Sequence, residues 1–376
     1  MIYALASRRG AFGVCDYLKT DGQSVAPLVT VLSYEDVLAQ GTLAVGAYLF
    51  TGLDDLTPTE TALVVRARAA LAAASPSVSL LNDPTHWLRR GALLQAAFDA
   101  GVNTFRATRA TVHDPTRRFP VFIRSEPEHT GALSPLLYSP GAVVRALLTA
   151  MLRGYRLRDL LIVEYSDTAD ADGVFTKYSA MIVGPHIVPR SHTRSREQIT
   201  KFGGRLADLS AAQADAAYVR DNPHEAWLRQ MFALGGVQYG RIDYAMRHGA
   251  PQLWEINTNP TIGANLAVEA LTAHLPPAPG AWTVEDTRRM APGNQLAYAK
   301  LATAISALSD ATHEAMARDG SASTRVTLSV SRREAAQLVS ERALQARILA
   351  RRTALAVLVA PLRAAYRLRH SLRARA

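Results

Sequence analysis

Apolar and polar periodicities divide the chain into three predicted regions. In the first hundred residues, short apolar runs that read as buried strands occur at 1–7, 43–50 and 77–82. Residues 57–75 begin with a Thr and a Glu three residues apart, before an apolar pattern of helical period, which predicts a capped helix. A second helix is predicted over 84–101, where a glycine ends the pattern. Strands that alternate with helices favour a parallel sheet, so residues 1–105 are predicted to form a small α/β lobe.

The middle of the chain has a different pattern. Strands are predicted at 119–125, at 159–167 and on both sides of a Gly-Pro turn within 174–191. Helices are predicted over 140–154, much of 191–236 and 261–275, with a hairpin at 240–260. This mixture indicates α+β lobes over 106–275. The remaining region, 276–376, is predicted to be a helical extension with long helices at 290–318 and 332–370.

The hairpin carries four polar side chains on two otherwise apolar strands. Because strand side chains alternate, Arg241 and Asp243 share one face of the first strand, and Glu255 and Asn257 share one face of the second. Loop length sets the register between them. A three-residue loop at 248–250 would place Asp243 opposite Glu255 and Arg241 opposite Asn257. A two-residue loop would send the two pairs to opposite faces, and we expect the first arrangement.

The residue types in this hairpin suit a divalent cation and a phosphate. Two carboxylates and an amide oxygen are hard ligands of the kind that Mg²⁺ prefers, with water and phosphate oxygens completing its shell. A neighbouring guanidinium can contact a phosphate or a developing oxyanion through two hydrogen bonds. The alternative is an exposed strand pair with ordinary cross-strand charge pairing. Trp254 and Ile256 beside the polar positions favour a buried sheet face instead.

"GRIDY" and "LWEINTNP" together resemble the closing nucleotide-site signature of the ATP-grasp superfamily, in which an Arg-x-Asp strand is followed by a Glu-x-Asn strand. The closest motif similarity is to the D-alanine–D-alanine ligase and glutamate ligase-like branches. The resemblance implies Asp243, Glu255 and Asn257 as metal ligands. It implies Arg241 as a catalytic residue that faces the transferred phosphate or the tetrahedral intermediate. The implied cofactors are ATP and Mg²⁺, with Mn²⁺ as an alternative metal.

This resemblance covers roughly residues 80–270 and implies the architecture of the whole chain. The expected fold is an ATP-grasp fold of the α/β and α+β classes. It would have a small N-terminal α/β (pre-ATP-grasp) lobe over 1–105, two nucleotide-gripping α+β lobes over 106–275, and a C-terminal helical extension over 276–376. The extension has no counterpart in the resemblance.

Other stretches resemble family motifs in the expected order. "LLIVEYSD" resembles the hinge strand whose backbone and acid meet adenine and ribose, which implies Glu164 and Tyr165 as nucleotide contacts. "EPEHTGALS" lies where a flexible phosphate-covering loop belongs, and this position implies His129 and Gly131 as phosphate neighbours.

Cationic side chains complete the implied nucleotide site. "FPVFIRS" resembles a strand that ends in a phosphate-binding Lys, and here the residue is Arg124, which is not a neutral replacement. "VFTKYSAMIVG" offers Lys177 as a second phosphate cation with a catalytic role beside Arg241. Further candidates near the substrate are Arg190 and His192. The two helix arginines at 89–90 could approach a ligand, but solvated helix charge is the favoured interpretation.

Charge is concentrated at the C-terminus. The net charge is +10, yet residues 331–376 alone hold 11 Arg, no Lys and two Glu. The basic balance is therefore a property of the tail and weak support for a nucleic-acid-binding body. The tail is predicted to pack on another lobe or on the partner in a homodimer. Peripheral contact with an anionic membrane surface is the second interpretation, and nucleic acid is not expected because no motif that reads it is present.

Other sequence features favour a cytoplasmic location, or a peripheral one at the membrane surface. A single cysteine excludes an internal disulfide framework and fits a reducing compartment. No signal peptide is evident, and no apolar stretch approaches the roughly 18 residues of a membrane span.

The combined motifs predict an ATP-dependent ligase. A small-molecule or peptide carboxylate would attack the γ-phosphate of ATP to give an acyl phosphate, which an amine or similar nucleophile would then displace. Two alternatives remain open: a phosphotransferase (kinase) acting on a small molecule, and a nucleotide-binding or scaffold protein without turnover. Arg124 in place of a lysine favours the last, whereas the intact set of four polar hairpin residues favours an enzyme.

Overall fold

The computed structural model describes residues 1–128, 131–196, 205–263 and 284–373. The chain divides into two compact units, here called unit 1 (Met1–Thr104 and Ser166–Val330) and unit 2 (Phe105–Tyr165 and Ser331–Ala376). Each unit is thus built from two separate pieces of sequence, with limits that differ from the three predicted regions. His129 and all but the first three residues of the helix predicted over 261–275 lie outside the described residues.

The helices and strands are given in chain order. The first half contains β1 (Ile2–Ala6), α1 (Phe12–Lys19), β2 (Val29–Ser33), α2 (Tyr34–Gln40), β3 (Thr42–Ala44), β4 (Ala47–Phe50), α3 (Pro58–Ala74), β5 (Leu80–Leu81), α4 (Arg90–Asp99), β6 (Ala107–Arg109), β7 (Val121–Ser125), α5 (Pro140–Leu152) and β8 (Leu160–Glu164). The second half contains β9 (Phe175–Val183), β10 (His186–Ser195), β11 (Arg205–Leu206), α6 (Leu209–Asp221), α7 (Glu225–Gly235), β12 (Tyr239–Arg247), β13 (Ala250–Asn257), α8 (Val284–Asp319), β14 (Arg325–Thr327) and α9 (Arg332–Arg373).

Unit 1 begins with the predicted parallel sheet, in the order β2-β1-β4-β5. The capping box predicted for α3 is present, since the Thr57 hydroxyl accepts from the backbone N–H of Glu60 and the Glu60 carboxylate accepts from the backbone N–H of Thr57. The run at 43–50 was predicted as one strand and is two, because β3 turns away to pair with β14. β2 was not predicted because all five of its residues are only half-buried and give no continuous apolar signal.

The second sheet of unit 1 is antiparallel, in the order β11-β10-β9-β12-β13. One face packs on α4 and α7 through an apolar cluster that includes Leu93, Phe232 and Ile242. On the other face, Met181 and Tyr239 pack with β1, β4 and α8. Alternation along β12 places Arg241 and Asp243 on the same face as Tyr239. This face is therefore apolar where α8 covers it and charged further along the strands.

Unit 2 contains an antiparallel three-stranded sheet in the order β6-β8-β7. Helix α5 packs on it through Val143 and Ala150, against a core that includes Ile123 and Ile162. The long helix α9 belongs to the same unit, and the Arg352 guanidinium carbon lies 3.9 Å from the centre of the Tyr155 ring. Among the described residues of the whole chain, no helix is both long and apolar enough to cross a membrane.

Candidate functional site

The β12–β13 hairpin brings the four predicted side chains into register. Asp243 pairs with Glu255 and Arg241 pairs with Asn257, as predicted. The predicted loop was wrong, however, because Arg247 already pairs with Ala250, which leaves a two-residue turn of His248 and Gly249. Both turn residues have positive φ, 50° and 80°, as the tight primed hairpin turn requires.

A β-bulge restores the register that the short turn would have lost. Tyr244 pairs with Leu253 and Asp243 with Glu255, so Trp254 is an extra residue on β13. One extra residue shifts the pairing by one position, which returns both polar pairs to a common face. The convergence of the four groups therefore depends on a turn and a bulge acting together.

Asp243 lies between two cations. Its carboxylate accepts from the Lys177 Nζ at 3.3 Å and from the Arg241 Nε at 3.2 Å. Its side chain is only 5% exposed. Burial by itself would raise the pKa of Asp243, but the charges of Arg241 and Lys177 outweigh burial and hold the pKa below its ordinary value. Asp243 is therefore an anion at neutral pH.

Glu255 is held by an arginine that the sequence interpretation assigned to solvent. The Arg90 guanidinium at the start of α4 donates to Glu255 Oε2 at 2.5 Å, and both side chains are buried. The assignment of Arg90 to solvated helix charge was wrong. A signal for its burial was present, because Leu93, Leu94 and Ala97 lie three, four and seven positions after Arg90 on the same helix face.

Asn257 ends β13 and leads into a loop that is anchored within unit 1. Its Oδ1 accepts from the backbone N–H of Asn259 at 2.8 Å. Thr258 Oγ1 accepts from the backbone N–H of Leu53, and Asn259 donates to the backbone carbonyl of Gly10. These contacts fix the end of β13 against the loops that follow β1 and β4, and so they restrict the position of the amide.

The donors present fit Mg²⁺ as a partly protein-bound ion. Within the described ranges, no three His, Cys, Asp or Glu side chains come together in a way that could hold a metal. Asp243, Glu255 and Asn257 supply two carboxylates and an amide oxygen, which are hard ligands. Mg²⁺ keeps several waters and takes substrate phosphates as further ligands, so one or two carboxylates suffice.

The predicted residues of unit 2 lie on or beside its sheet. Arg124 is on β7, where it pairs with Leu161 of β8 and forms an isolated bridge with Ala132. Gly131 has a φ of 94°, a value that favours glycine. Tyr165 donates its backbone N–H to the Pro120 carbonyl at 2.9 Å. The nucleotide roles of these residues stay predictions.

Glu164 at the end of β8 has arginine partners within its own unit. Its carboxylate accepts from the side chains and the backbone N–H groups of both Arg106 and Arg118, at 2.7 to 3.2 Å. Burial alone would raise the pKa of Glu164, but the hydrogen bonds from Arg118 and Arg106 lower it. These contacts give Glu164 a structural role, whereas its predicted contact with the nucleotide stays a prediction.

Arg190 and His192 take separate positions on β10. Arg190 donates to Asn294 and Tyr298 of α8 and to the Ile262 carbonyl. His192 pairs with Tyr178, with ring centres 4.8 Å apart, and Tyr178 is adjacent to Lys177 on β9. Successive strand residues face opposite ways, so His192 lies on the face opposite Lys177. Burial lowers the pKa of His192 to about 4.

Several solved structures are similar to this chain. D-alanine–D-alanine ligase from Bacillus anthracis complexed with ATP is 13% identical, with a TM-score of 0.43 and coverage of 84% of this chain and 97% of that one. The D-alanine–D-alanine ligase from Coxiella burnetii is 9% identical, with a TM-score of 0.45 and the same coverage. L-amino acid ligase from Bacillus licheniformis is 10% identical, with a TM-score of 0.41 and coverage of 72% and 68%.

No protein-family model and no curated protein matches the chain. The TM-scores of these three structures all lie below 0.5.

Proposed function

We propose that the protein is an ATP- and Mg²⁺-dependent ligase that activates a carboxylate for attack by an amine or similar nucleophile. The observation that carries the proposal is the pairing of Asp243 with Glu255 and of Arg241 with Asn257. A sheet face that buries two acids beside three cations is costly unless it serves a charged ligand. The motif resemblance to ATP-grasp proteins supports ATP with its metal as that ligand.

Each residue of this centre has a distinct role in the proposal. Asp243, Glu255 and Asn257 would hold Mg²⁺, which when bound neutralises phosphate charge. Arg241 and Lys177 flank Asp243 and can donate to phosphate oxygens as negative charge moves between them. Arg90 is proposed as a positioning residue, since its guanidinium holds the carboxylate of Glu255.

The chemistry requires orientation more than a general base. The substrate carboxylate attacks the γ-phosphorus, the bond from that phosphorus to the bridging oxygen breaks, and ADP leaves with that oxygen. The amine then attacks the acyl carbon, inorganic phosphate leaves and the amine loses a proton. Cations placed beforehand lower the barrier because they need no reorganisation during the reaction. Arg124, His129, Gly131, Glu164 and Tyr165 are proposed as further nucleotide contacts.

A hydroxylamine trap tests the reaction without knowledge of the natural amine. The full chain would be incubated with ATP, Mg²⁺, hydroxylamine and a panel of amino acids and short peptides. A ligase of this type forms ADP only when its carboxylate is present, and forms hydroxamate in equal amount. A phosphorylated product without hydroxamate would make the protein a kinase, and ATP binding without ADP formation would make it a scaffold.

Matched variants connect that activity to the hairpin. Asp243→Asn and Glu255→Gln keep the shape of each side chain and remove its charge, so hydroxamate formation should be lost. Asp221→Asn is the control, because Asp221 is on α6 with its side chain 57% exposed. Equal activity in all three variants would remove the hairpin from the mechanism.

A further inference from the structure

Helix α5 of unit 2 is apolar on both of its faces. Its inner face packs Val143 and Ala150 against the three-stranded sheet. Between Pro140 and Leu152 the helix contains one charged residue, Arg145, and no acid. A surface helix normally presents charged and polar residues on its outer face, and a helix apolar all round is normally covered on both sides.

The outer face of α5 exposes large apolar side chains. Val144, Leu148, Met151 and Leu152 are 55%, 54%, 43% and 76% exposed. Leu148, Met151 and Leu152 follow Val144 by four, seven and eight positions. The four side chains therefore form one line along the helix, which we call the α5 outer stripe. Tyr138, just before the helix, is 71% exposed. Scattered exposed apolar residues need no explanation, but a continuous line marks a contact surface.

The unit that carries the stripe is strongly basic. Unit 2 holds 20 Arg, no Lys and seven Asp or Glu, a net charge of +13, which leaves unit 1 with a net charge of −3. Two arginines that follow α5 in sequence, Arg156 and Arg158, are 43% and 71% exposed, although both lie near Asp159. The stripe therefore belongs to a unit that attracts anionic partners.

Helix α9 adds apolar sequence at one end of the stripe. Gly154 follows α5 by two residues, and Arg352 Cγ and Leu355 Cδ1 both lie within 4 Å of the position that a Cβ on Gly154 would take. In the sequence, the apolar stretch "TALAVLVAPL" begins directly after Arg352. Leu355, at the start of that apolar segment, and Arg352, which is ion-paired with Glu128 and 20% exposed, thus adjoin the C-terminal end of α5.

We propose that the α5 outer stripe is a docking surface for an anionic lipid bilayer. Apolar side chains on a convex helix can enter the boundary between headgroups and acyl chains, where no shape-matched pocket is needed. Arginines of the same unit gain roughly 1 kcal/mol each where they come near an anionic leaflet. An anionic bilayer therefore suits both the exposed apolar stripe and the net positive charge of the unit that carries it.

A second copy of the chain and nucleic acid are the two other candidate partners. Each suits only the apolar stripe or only the positive charge. A second copy of the chain would cover the apolar stripe but would bring two units of net charge +13 together, which repel each other. Nucleic acid would satisfy the arginines, yet its phosphates offer nothing to four exposed aliphatic and thioether side chains. A lipid surface is therefore the favoured partner.

Vesicle flotation with the full chain tests the proposal independently of the proposed enzymatic function. The protein would be mixed with vesicles of phosphatidylcholine alone, or of phosphatidylcholine with phosphatidylglycerol, at low and at high salt. The variant is the triple substitution Val144→Ser, Leu148→Gln and Leu152→Gln. The control is Leu209→Gln, because Leu209 is 66% exposed on α6 in unit 1.

We expect the wild type and Leu209→Gln to bind the anionic vesicles and to be released by salt. The triple variant should bind them roughly ten-fold less tightly or worse, because apolar burial is lost. Should the triple variant not fold, as judged by its circular dichroism, Leu152→Gln alone should weaken binding in the same direction.

Three outcomes would overturn the proposal. The first is no binding of wild type to anionic vesicles at low salt. The second is equal binding by the triple variant and Leu209→Gln. The third is a wild-type dimer that the triple variant abolishes while vesicle binding is unchanged, which would assign the stripe to a second copy.

Discussion

The two units differ in how their charge is balanced. In unit 1 the charges of the hairpin centre are buried and paired with one another: the side chains of Arg90, Asp243 and Glu255 are 4%, 5% and 7% exposed. In unit 2 arginines outnumber acids 20 to seven, and Arg118 keeps a side chain 59% exposed even while it bonds Glu164.

This difference separates two uses of charge. Burying an ion pair costs desolvation energy that a hydrophobic pair would not, so buried pairs persist where a charged ligand needs a prepared site. Exposed guanidinium groups cost little and act at longer range, which suits attraction of phosphates or an anionic surface. The proposed metal centre accordingly lies in unit 1, and the proposed lipid-docking surface lies in unit 2.

The largest expected effect is on the buried pair of Arg90 and Glu255. Arg90→Ala should lower the free energy of unfolding by about 3–5 kcal/mol, because it leaves a buried carboxylate without its guanidinium. Urea unfolding followed by tryptophan fluorescence measures this in unit 1, because the three tryptophans that the structure describes, Trp87, Trp227 and Trp254, all belong to that unit. Arg89→Ala, next to it but exposed, should cost less than about 1 kcal/mol. Equal losses in both variants would contradict the assignment of buried and exposed charge.

Arg241 should affect turnover more than binding. Arg241→Gln is expected to lower hydroxamate formation roughly 100- to 1,000-fold, because a donor to developing charge is lost, while the dissociation constant for ATP changes far less. Arg247→Gln on the same strand is the matched control and should retain activity. A loss of affinity as large as the loss of turnover would show that Arg241 acts on ground-state binding instead.

A third buried pair in unit 1, Asp215 and His192, should affect how the stability of the protein depends on pH. Asp215 accepts the backbone N–H of His192 at 2.7 Å. Burial raises the pKa of Asp215 to about 6 and lowers the pKa of His192 to about 4. Because the pKa of Asp215 is raised, this carboxyl group contributes stability at low pH, and the contribution is lost as pH rises through about 6. Because the pKa of His192 is lowered, this side chain costs stability as pH falls from 6.5, its ordinary pKa, toward 4. The two effects therefore offset each other.

Asp215→Asn separates these two contributions. As pH falls from 7 to 4, the unfolding free energy of the variant should drop relative to wild type by about 1–3 kcal/mol, because only the histidine cost remains. The measurement is the difference between the two urea midpoints at each pH, which cancels groups that both proteins share. A difference that stays constant with pH would refute the buried ionisation of Asp215.

The smallest effect is expected at the exposed partner of Glu164. Arg118→Ala should cost less than about 1 kcal/mol, because its side chain is 59% exposed and solvent screens the pair. Arg106→Ala removes a donor that is 18% exposed and should cost more. Thermal unfolding followed by circular dichroism compares the two variants. A larger loss in Arg118→Ala would reverse the order that exposure predicts.

The local elements of the fold were largely predictable because they depend on nearby residues. The capping box of α3, the parallel N-terminal sheet and the two strands around Gly184 all follow from short-range patterns. The hairpin register was predicted correctly for a wrong reason: the turn is shorter than expected, and the bulge at Trp254 compensates. A bulge is a property of the pairing between two strands, so the residue pattern along β13 alone does not show it.

Partners of buried charges were the part that the sequence did not reveal. Helical spacing placed Arg90 on the apolar face of α4, but its carboxylate lies 165 positions further along the chain. Glu164 likewise finds Arg106 and Arg118 through the strand order of unit 2. Such pairs depend on tertiary contacts, whereas the residue types and spacing of the metal-seeking hairpin were visible directly.

Calorimetric titration of ATP tests the central claim most directly. The wild type, Asp243→Asn and the surface control Asp221→Asn would each be titrated with and without Mg²⁺. We predict that Mg²⁺ tightens ATP binding to the wild type and to Asp221→Asn by roughly ten-fold or more, and that Asp243→Asn loses this gain. Mg²⁺-dependent binding that survives Asp243→Asn, or wild-type protein that does not bind ATP at all, would contradict the assignment of the hairpin as a metal–nucleotide centre.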